Sequence, residues 1–384
     1  MKNIIPYGKH HVTEDDINAV IEVLKSDFLT QGPKVVEFEK KFAEFIGSKY
    51  AVAVSNGTAA LHLCNLALNV TKGTKVISSP LSFVATSNSV LYCGGEIEFC
   101  DIDPKTLLID LDKLEEKLKN SPKGTYSGIL PVDFAGLAVK MDDLKSLADK
   151  YGLWIIEDSC HAPGAYFRDK KNKVQNCGNG NFADLAIFSF HPVKHISCGE
   201  GGMITTNKKR LYDKLIKLRT HGIDRKEFKN QNNHGDWYYE MQTLGYNYRL
   251  SDINCALGIS QLSRSESNLK IRKKIAKRYV NELKNVKEIG FYNVDQEGHA
   301  YHLFVINAQN RRSLFDYLKS KNILCQIHYI PIHLHPYYKN LGFKIGDFPI
   351  VESYYETCLS IPIFPTLEED EVTRVINEIK RFYS

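Results

Sequence analysis

Lys194 stands between two apolar runs. Asp184 to Phe190 is β-branched and aromatic and reads as a buried strand that ends at Pro192, and a glycine-rich turn, Gly199 to Gly202, leads into a second strand, Met203 to Thr206. An ammonium held at the end of a buried strand, where glycines let backbone approach a ligand, loses solvation. Its pKa falls and it becomes a nucleophilic amine. The chemistry open to such an amine is Schiff-base formation. The plainer account is a solvated surface charge, as nearly all of the 50 Lys and Arg residues must be. Ser189, His191 and His195 beside Lys194 set it apart.

Other segments offer partners for that amine, each with a rival reading. Ser55-Asn56-Gly57-Thr58-Ala59-Ala60 follows a strand and opens a helix, so its free N–H groups, the helix dipole and the Thr58 hydroxyl make a phosphate seat. A simple turn capped by Asn56 is the alternative. Glu157-Asp158 ends the apolar strand Leu153-Trp154-Ile155-Ile156, at the sheet edge where α/β proteins bind ligands. Facing a ring nitrogen, Asp158 keeps it protonated and makes the ring an electron sink; otherwise it is a helix cap or half of an ion pair. His161 is placed to touch the same ligand or to be a core histidine, and Phe83 to stack on a planar ring or to fill the core. Gly245-Tyr246-Asn247-Tyr248-Arg249 offers an amide and a guanidinium to an anion, or an ordinary turn.

Two patterns are decoys. Gly178-x-Gly180-x-x-Ala183 imitates a dinucleotide fingerprint but precedes a strand instead of following one. His328, His333 and His335 lack Cys or carboxylate partners at zinc-site spacing, so no metal is expected.

The elements that must position these residues alternate. Strands are predicted at Ala51–Ser55, Lys75–Ser78, Glu96–Asp101, Gly128–Asp133, Leu153–Asp158, Leu185–Phe190 and Met203–Thr206. Helices fill the gaps at Thr58–Leu68, Phe83–Tyr92, Leu111–Lys119, Met141–Tyr151 and Lys208–Thr220. That alternation describes an α/β fold with a large, mostly parallel sheet covered on both faces. Two helices precede it, Thr13–Lys25 and Val35–Ile46. Asp224 to Met241 lacks a period and reads as a long loop. A single helix is predicted from Ser251 to about Leu283, linking residues 1–250 to a smaller C-terminal α+β domain within 251–384. That domain has strands near Tyr301–Ile306 and Cys325–Tyr329 and helices at Arg311–Lys319 and Glu369–Phe382.

Composition bounds the class. At 384 residues, 43% hydrophobic and 25% charged, the chain suits two soluble globular domains. A net charge of +5 without basic blocks argues against nucleic acid, and no apolar run of membrane or signal-peptide length occurs, so no membrane association and a cytoplasmic location are expected. Nine scattered cysteines, an odd number without a C-x-x-C pair, read as reduced thiols.

Taken in order, SNGTAAL, LSFVATSNSV, EDSCHAPGA, FSFHPVKHISCGEGGMI, RTHGI, GYNYRLSDINCALGISQL and QIHYIPIHLHPYY resemble the sugar aminotransferase family of fold type I pyridoxal-phosphate enzymes, the DegT/DnrJ/EryC1/StrS type, over essentially the whole chain. SFVAT, FSFHPVKH and HYIPIHLHPYY most resemble its pseudaminic acid branch. The resemblance implies pyridoxal 5'-phosphate bound covalently to Lys194, Asp158 on its ring nitrogen, and Phe83 on its ring face. His161, where many relatives have glutamine, falls near the ring hydroxyl. Gly57, Thr58 and Ser189 fall on the phosphate, with Asn247 reaching in from the second subunit of a homodimer whose sites are shared. Tyr7, Asp27, Phe28, Leu29, Thr30, His328, Tyr329, Ile330 and Pro331 match segments lining a nucleotide-sugar pocket.

The implied reaction moves an amino group from L-glutamate to carbon 4 of a UDP-linked 4-keto-6-deoxy-N-acetyl hexose. One branch of the family has histidine where the lysine stands and dehydrates instead, so Lys194 favours amino transfer. The polar loop Lys226 to Met241 departs from the pattern and leaves the sugar less defined than the reaction. Two rivals carry different predictions: another UDP- or dTDP-linked keto sugar as acceptor, and a cofactor-holding sensor without turnover.

Overall fold

The computed structural model describes residues 4–224, 235–292 and 296–384. Seven strands form one sheet: β1 (Tyr50–Val54), β2 (Lys75–Ser78), β3 (Glu96–Phe99), β4 (Gly128–Leu130), β5 (Trp154–Asp158), β6 (Leu185–Ser189) and β7 (Gly202–Thr206). Their order is β1-β7-β6-β5-β4-β2-β3. The run from β6 to β3 is parallel, while β7 pairs antiparallel with both β1 and β6. This is the expected α/β architecture with a mostly parallel sheet.

Both faces are covered because the strands are apolar on both sides. Ile155 packs with Ile77, Leu144 and Ala148 on one face, and its neighbour Ile156 with Leu61, Leu185 and Ile187 on the other. Adjacent side chains on a pleated strand point to opposite faces, so a continuous apolar run demands cover on each. The cover comes from α1 (Glu14–Leu24), α2 (Pro33–Ile46), α3 (Gly57–Ala67), α4 (Ala85–Tyr92), α5 (Leu111–Lys119), α6 (Met141–Tyr151) and α7 (Lys209–Arg219). Phe38 and Phe42 of α2 meet Phe188 and Phe190 at ring-centroid distances of 4.9–5.4 Å, which anchors the segment leading into the lysine turn.

The predicted helix from Ser251 to Leu283 is two helices, α8 (Asp252–Ser263) and α9 (Ser265–Leu283), meeting at Arg264 (φ −110°, ψ 11°). No proline breaks it. Ser263 and Ser265 turn their hydroxyls back onto the carbonyls of Ser260 and Gln261, and the Arg264 guanidinium is drawn to Asp16 and to the His11 carbonyl. Side chains competing for the helical ladder, pulled by a distant carboxylate, produce the break.

Beyond α9 lies an antiparallel sheet of Ile289–Phe291, Phe304–Ala308 and Cys358–Ile361, backed by helices Arg311–Ser320 and Glu369–Tyr383. The expected strand at Cys325–Tyr329 is not one. That segment makes a single bridge, Gln326 to Ser360, and the strand partner of Phe304–Ala308 is Cys358–Ile361. Among the described residues no helix is long and apolar enough to cross a membrane.

Candidate active site

Three chain passes meet at one edge of the sheet. Gly202 is paired with Val54, at the end of β1, and with Ser189, at the end of β6. A Cβ on Gly202 would lie 2.6 Å from the Asn56 carbonyl oxygen, so only glycine lets the loop entering α3 close over β7. That closure sets Asn56, Gly57 and Thr58, Ser189, and the lysine turn around one cavity of about 790 Å³.

Lys194 lies in the turn after β6, its N–H donating to the His191 carbonyl at 2.8 Å. The far limb of the turn is tied by Cys198 N–H to the Phe190 carbonyl at 2.9 Å, and by the Asn254 amide to the Cys198 carbonyl at 2.6 Å. Burial pushes the Lys194 ammonium below its ordinary pKa, while Cys160 and Asp158 pull the other way. The balance favours the free amine more than an exposed lysine would.

Asp158, at the last position of β5, is buried and also lines the cavity. Its Oδ2 accepts from the Thr86 hydroxyl at 2.8 Å and its Oδ1 from the Cys160 N–H at 3.2 Å. Behind Thr86 stands Ser82, the two hydroxyl oxygens 2.7 Å apart.

His161 has a defined tautomer. Ala135, held in a left-handed conformation (φ 58°), donates its N–H to His161 Nδ1 at 3.3 Å, so Nδ1 is the bare nitrogen and Nε2–H faces the Tyr329 hydroxyl at 3.2 Å. Burial, with the Lys194 charge next, pushes its pKa well below the ordinary 6.5, and the ring stays neutral. His302 packs on it at 4.4 Å between ring centroids. His328 Nδ1 pairs with the Ser360 hydroxyl at 2.8 Å, and burial takes its pKa down to about 3.

The start of α3 is built for an anion. Asn56 Oδ1 accepts from Ala59 N–H at 2.8 Å, which leaves the Gly57 and Thr58 N–H groups at the positions where a helix has no internal acceptor. A Cβ at Gly57 would press on Ser189 Cβ at 3.0 Å, so glycine keeps this corner open. An amine for an aldehyde, a carboxylate for a ring nitrogen, amide and hydroxyl donors for a phosphate, and the exposed Phe83 ring together fit pyridoxal phosphate.

Of the residues expected from the sequence, Tyr7, Gly57, Thr58, Phe83, Asp158, His161, Ser189, Lys194, His328 and Tyr329 line this cavity. Others do not line the cavity of their own chain. Asn247 is exposed and bridges Thr220; Asp27, Phe28, Leu29 and Thr30 are exposed; Ile330 points outward; Pro331 is buried in the turn where Ile332 N–H meets the Pro80 carbonyl. Most of the loop 226–241 lies outside the described residues; its end, Glu240–Met241, pairs with Ile223–Asp224.

Sequence reasoning missed Ser82, Thr86, His302, Glu200 and the pair His62 and Tyr248, all on the cavity wall. A signal existed for Ser82 and Thr86, which flank Phe83 at a spacing of four residues across a helix start.

The chain matches the model of the "DegT/DnrJ/EryC1/StrS aminotransferase family" over residues 10–380. It is 36% identical to the Bacillus subtilis "Spore coat polysaccharide biosynthesis protein SpsC", covering 98% of this chain and 97% of that protein. It is also 36% identical to the "UDP-4-amino-4,6-dideoxy-N-acetyl-beta-L-altrosamine transaminase" of Campylobacter jejuni, covering 99% of this chain and 100% of that one. Among solved structures, the pyridoxal-phosphate form of the putative sugar aminotransferase Spr1654 from Streptococcus pneumoniae superposes with a TM-score of 0.89 at 27% identity, covering 99% and 98% of the two chains.

Proposed function

Because the chain belongs to the DegT/DnrJ/EryC1/StrS aminotransferase family, we propose that it moves the amino group of L-glutamate to carbon 4 of a UDP-linked 4-keto-6-deoxy-N-acetyl hexose. It is a transaminase, and its cofactor is pyridoxal phosphate. The observation that carries the reading is the placement of Lys194, with its burial-lowered pKa, and Asp158 on one cavity whose third corner is the anion-ready start of α3.

Bound there, the cofactor supplies a sink for the electrons freed when a carbon next to nitrogen loses its proton. The chain's residues do the rest. Lys194 Nζ carries the proton off the donor's α-carbon and, in the second half-reaction, delivers one to the sugar carbon that receives nitrogen. Asp158, with lone pairs left over from Thr86 and Cys160, would hold the ring nitrogen. Gly57, Thr58 and Ser189 would hold the phosphate and Phe83 would face the ring, while His161, neutral, adds no charge beside the amine.

The acceptor sugar follows the Campylobacter jejuni relative, whose name specifies an altrosamine transaminase of UDP-linked substrates. Asn247 and Asp27 to Thr30, exposed and away from their own cavity, suit a homodimer in which they complete the partner's site. A second reading, a different UDP- or dTDP-linked keto sugar, draws support from the Bacillus subtilis protein, which is also 36% identical and is named for spore coat polysaccharide biosynthesis. Incubation with glutamate and a panel of UDP- and dTDP-linked keto sugars, with the product identified by mass and NMR, decides between them. A 4-amino UDP sugar is expected; turnover of dTDP sugars alone would sink the first reading and leave the second standing.

A further inference from the structure

Asp158 is a buried carboxylate that, among the described residues, takes part in no salt bridge. What holds it is a line of hydroxyls. An ionised carboxylate can only accept, so the 2.8 Å contact to Oδ2 requires Thr86 Oγ1 to donate. Thr86 has then spent its one proton. The 2.7 Å contact between Ser82 and Thr86 therefore has one possible direction, with the Ser82 hydroxyl donating to Thr86 Oγ1. Both residues are nearly inaccessible, Ser82 at 4% and Thr86 at 1% exposure, so water does not compete for these bonds.

The line is fixed at its source. Thr86 enters α4 with its N–H on the Phe83 carbonyl at 3.1 Å, its own carbonyl takes the Ser89 hydroxyl at 2.7 Å, and Ser89 accepts from the buried Asn65 amide at 2.9 Å. A helix terminus thus carries the Thr86 hydroxyl to one side of the carboxylate, and the Cys160 N–H holds the other oxygen at 3.2 Å.

We propose that Thr86, oriented by Ser82, is a positioning residue that fixes the plane of the Asp158 carboxylate and keeps the proton shared with the bound ring on the ring nitrogen. The proposal rests on the aminotransferase reading above. Its physical basis is that a donor hydrogen-bonded to the charged form of a carboxylate favours that form. A hydroxyl does so without a full positive charge, which would repel a protonated ring. Without the Thr86 donor the proton in the shared bond shifts toward the carboxylate, and the ring draws electrons less well.

The experiment uses the full-length protein loaded with pyridoxal phosphate labelled with ¹⁵N at the ring. The wild type and Thr86→Ser are expected to show a ring nitrogen shift typical of the protonated form. Thr86→Val, matched in shape but without the hydroxyl, should move that resonance toward an unprotonated ring and lower kcat by about 10–100-fold, the loss of one hydrogen bond to a charged group. Ser82→Ala should move it less in the same direction and serves if Thr86→Val does not fold. An unmoved ¹⁵N resonance in Thr86→Val, or in Ser82→Ala where only that variant folds, would overturn the proposal, and so would failure of Thr86→Ser to restore the shift. A wild-type protein that takes up no cofactor, giving no visible band that borohydride bleaches, would instead overturn the parent reading and this one with it.

Discussion

Glu157 and Asp158 are consecutive on β5, so their side chains leave the sheet on opposite faces, and their surroundings differ accordingly. Asp158 faces the cavity with donors on both oxygens and lone pairs still open. Glu157 faces Asp133 and Cys177 in a sealed cluster. There Val139 N–H and the Ser159 hydroxyl donate to Asp133 at 2.9 and 2.8 Å, and Gly178 N–H donates to Glu157 at 2.9 Å. Burial lifts Asp133 to about 6, and burial with the Asp133 charge lifts Glu157 well above the carboxylate range. Two like charges in a dry site cannot both ionise, so the pair shares a proton. One strand end thus carries a carboxylate prepared for a cationic ligand and one prepared to stay partly neutral.

The sharpest way to break this contrast is to remove the groups on the cavity side. Lys194→Ala should lower aminotransfer at least about a thousandfold, roughly 4 kcal/mol, and abolish the borohydride-sensitive band. Asp158→Asn should lower kcat by about a hundredfold while leaving the fold intact, since its neighbours can still bond an amide. If Asp158→Asn keeps full activity, the division of roles between the two faces is wrong.

Much of that division was readable beforehand, and the parts that were not share a cause. Asp158 ends one apolar strand and Lys194 lies in the turn that follows another, and strand ends at one sheet edge are visible as apolar runs that stop. The break at Arg264 was hidden because its cause, Asp16, lies 248 residues away in the chain. Cys358–Ile361 pairs where Cys325–Tyr329 was expected because both are short apolar stretches, and only tertiary pairing selects between them. Thr86 was hidden because one hydroxyl at a helix start has no periodic signature; its role comes from the carboxylate it meets, 72 residues on.

On the sealed side, Glu157→Gln should act on stability more than on chemistry. The folded pKa of Asp133 is raised above its unfolded value of 3.8, so the folded state holds more protons between pH 4 and 6. The contribution is fully present below about 4 and is lost as pH rises through about 6. Glu157, raised further, extends the same trend upward. An uncharged glutamine removes the repulsion while its oxygen still accepts from Gly178. Relative to wild type, the variant's Tm should therefore rise on going from pH 5 to pH 8, by about 2–4 °C. A Tm difference independent of pH would mean the pair is not where the proton is shared.

The smallest effect is expected at Tyr329→Phe. The phenol accepts from His161 Nε2–H at 3.2 Å, a bond between neutral groups worth about 1 kcal/mol, so the rate should change by about fivefold or less. The informative quantity is the pH profile. Ala135 N–H and burial hold His161 neutral from the other side of the ring, and neither depends on Tyr329. The variant should therefore gain no inflection between pH 5 and 8. A new ionisation in that range would show that the Tyr329 hydroxyl, and not the Ala135 turn, keeps this imidazole uncharged beside Lys194.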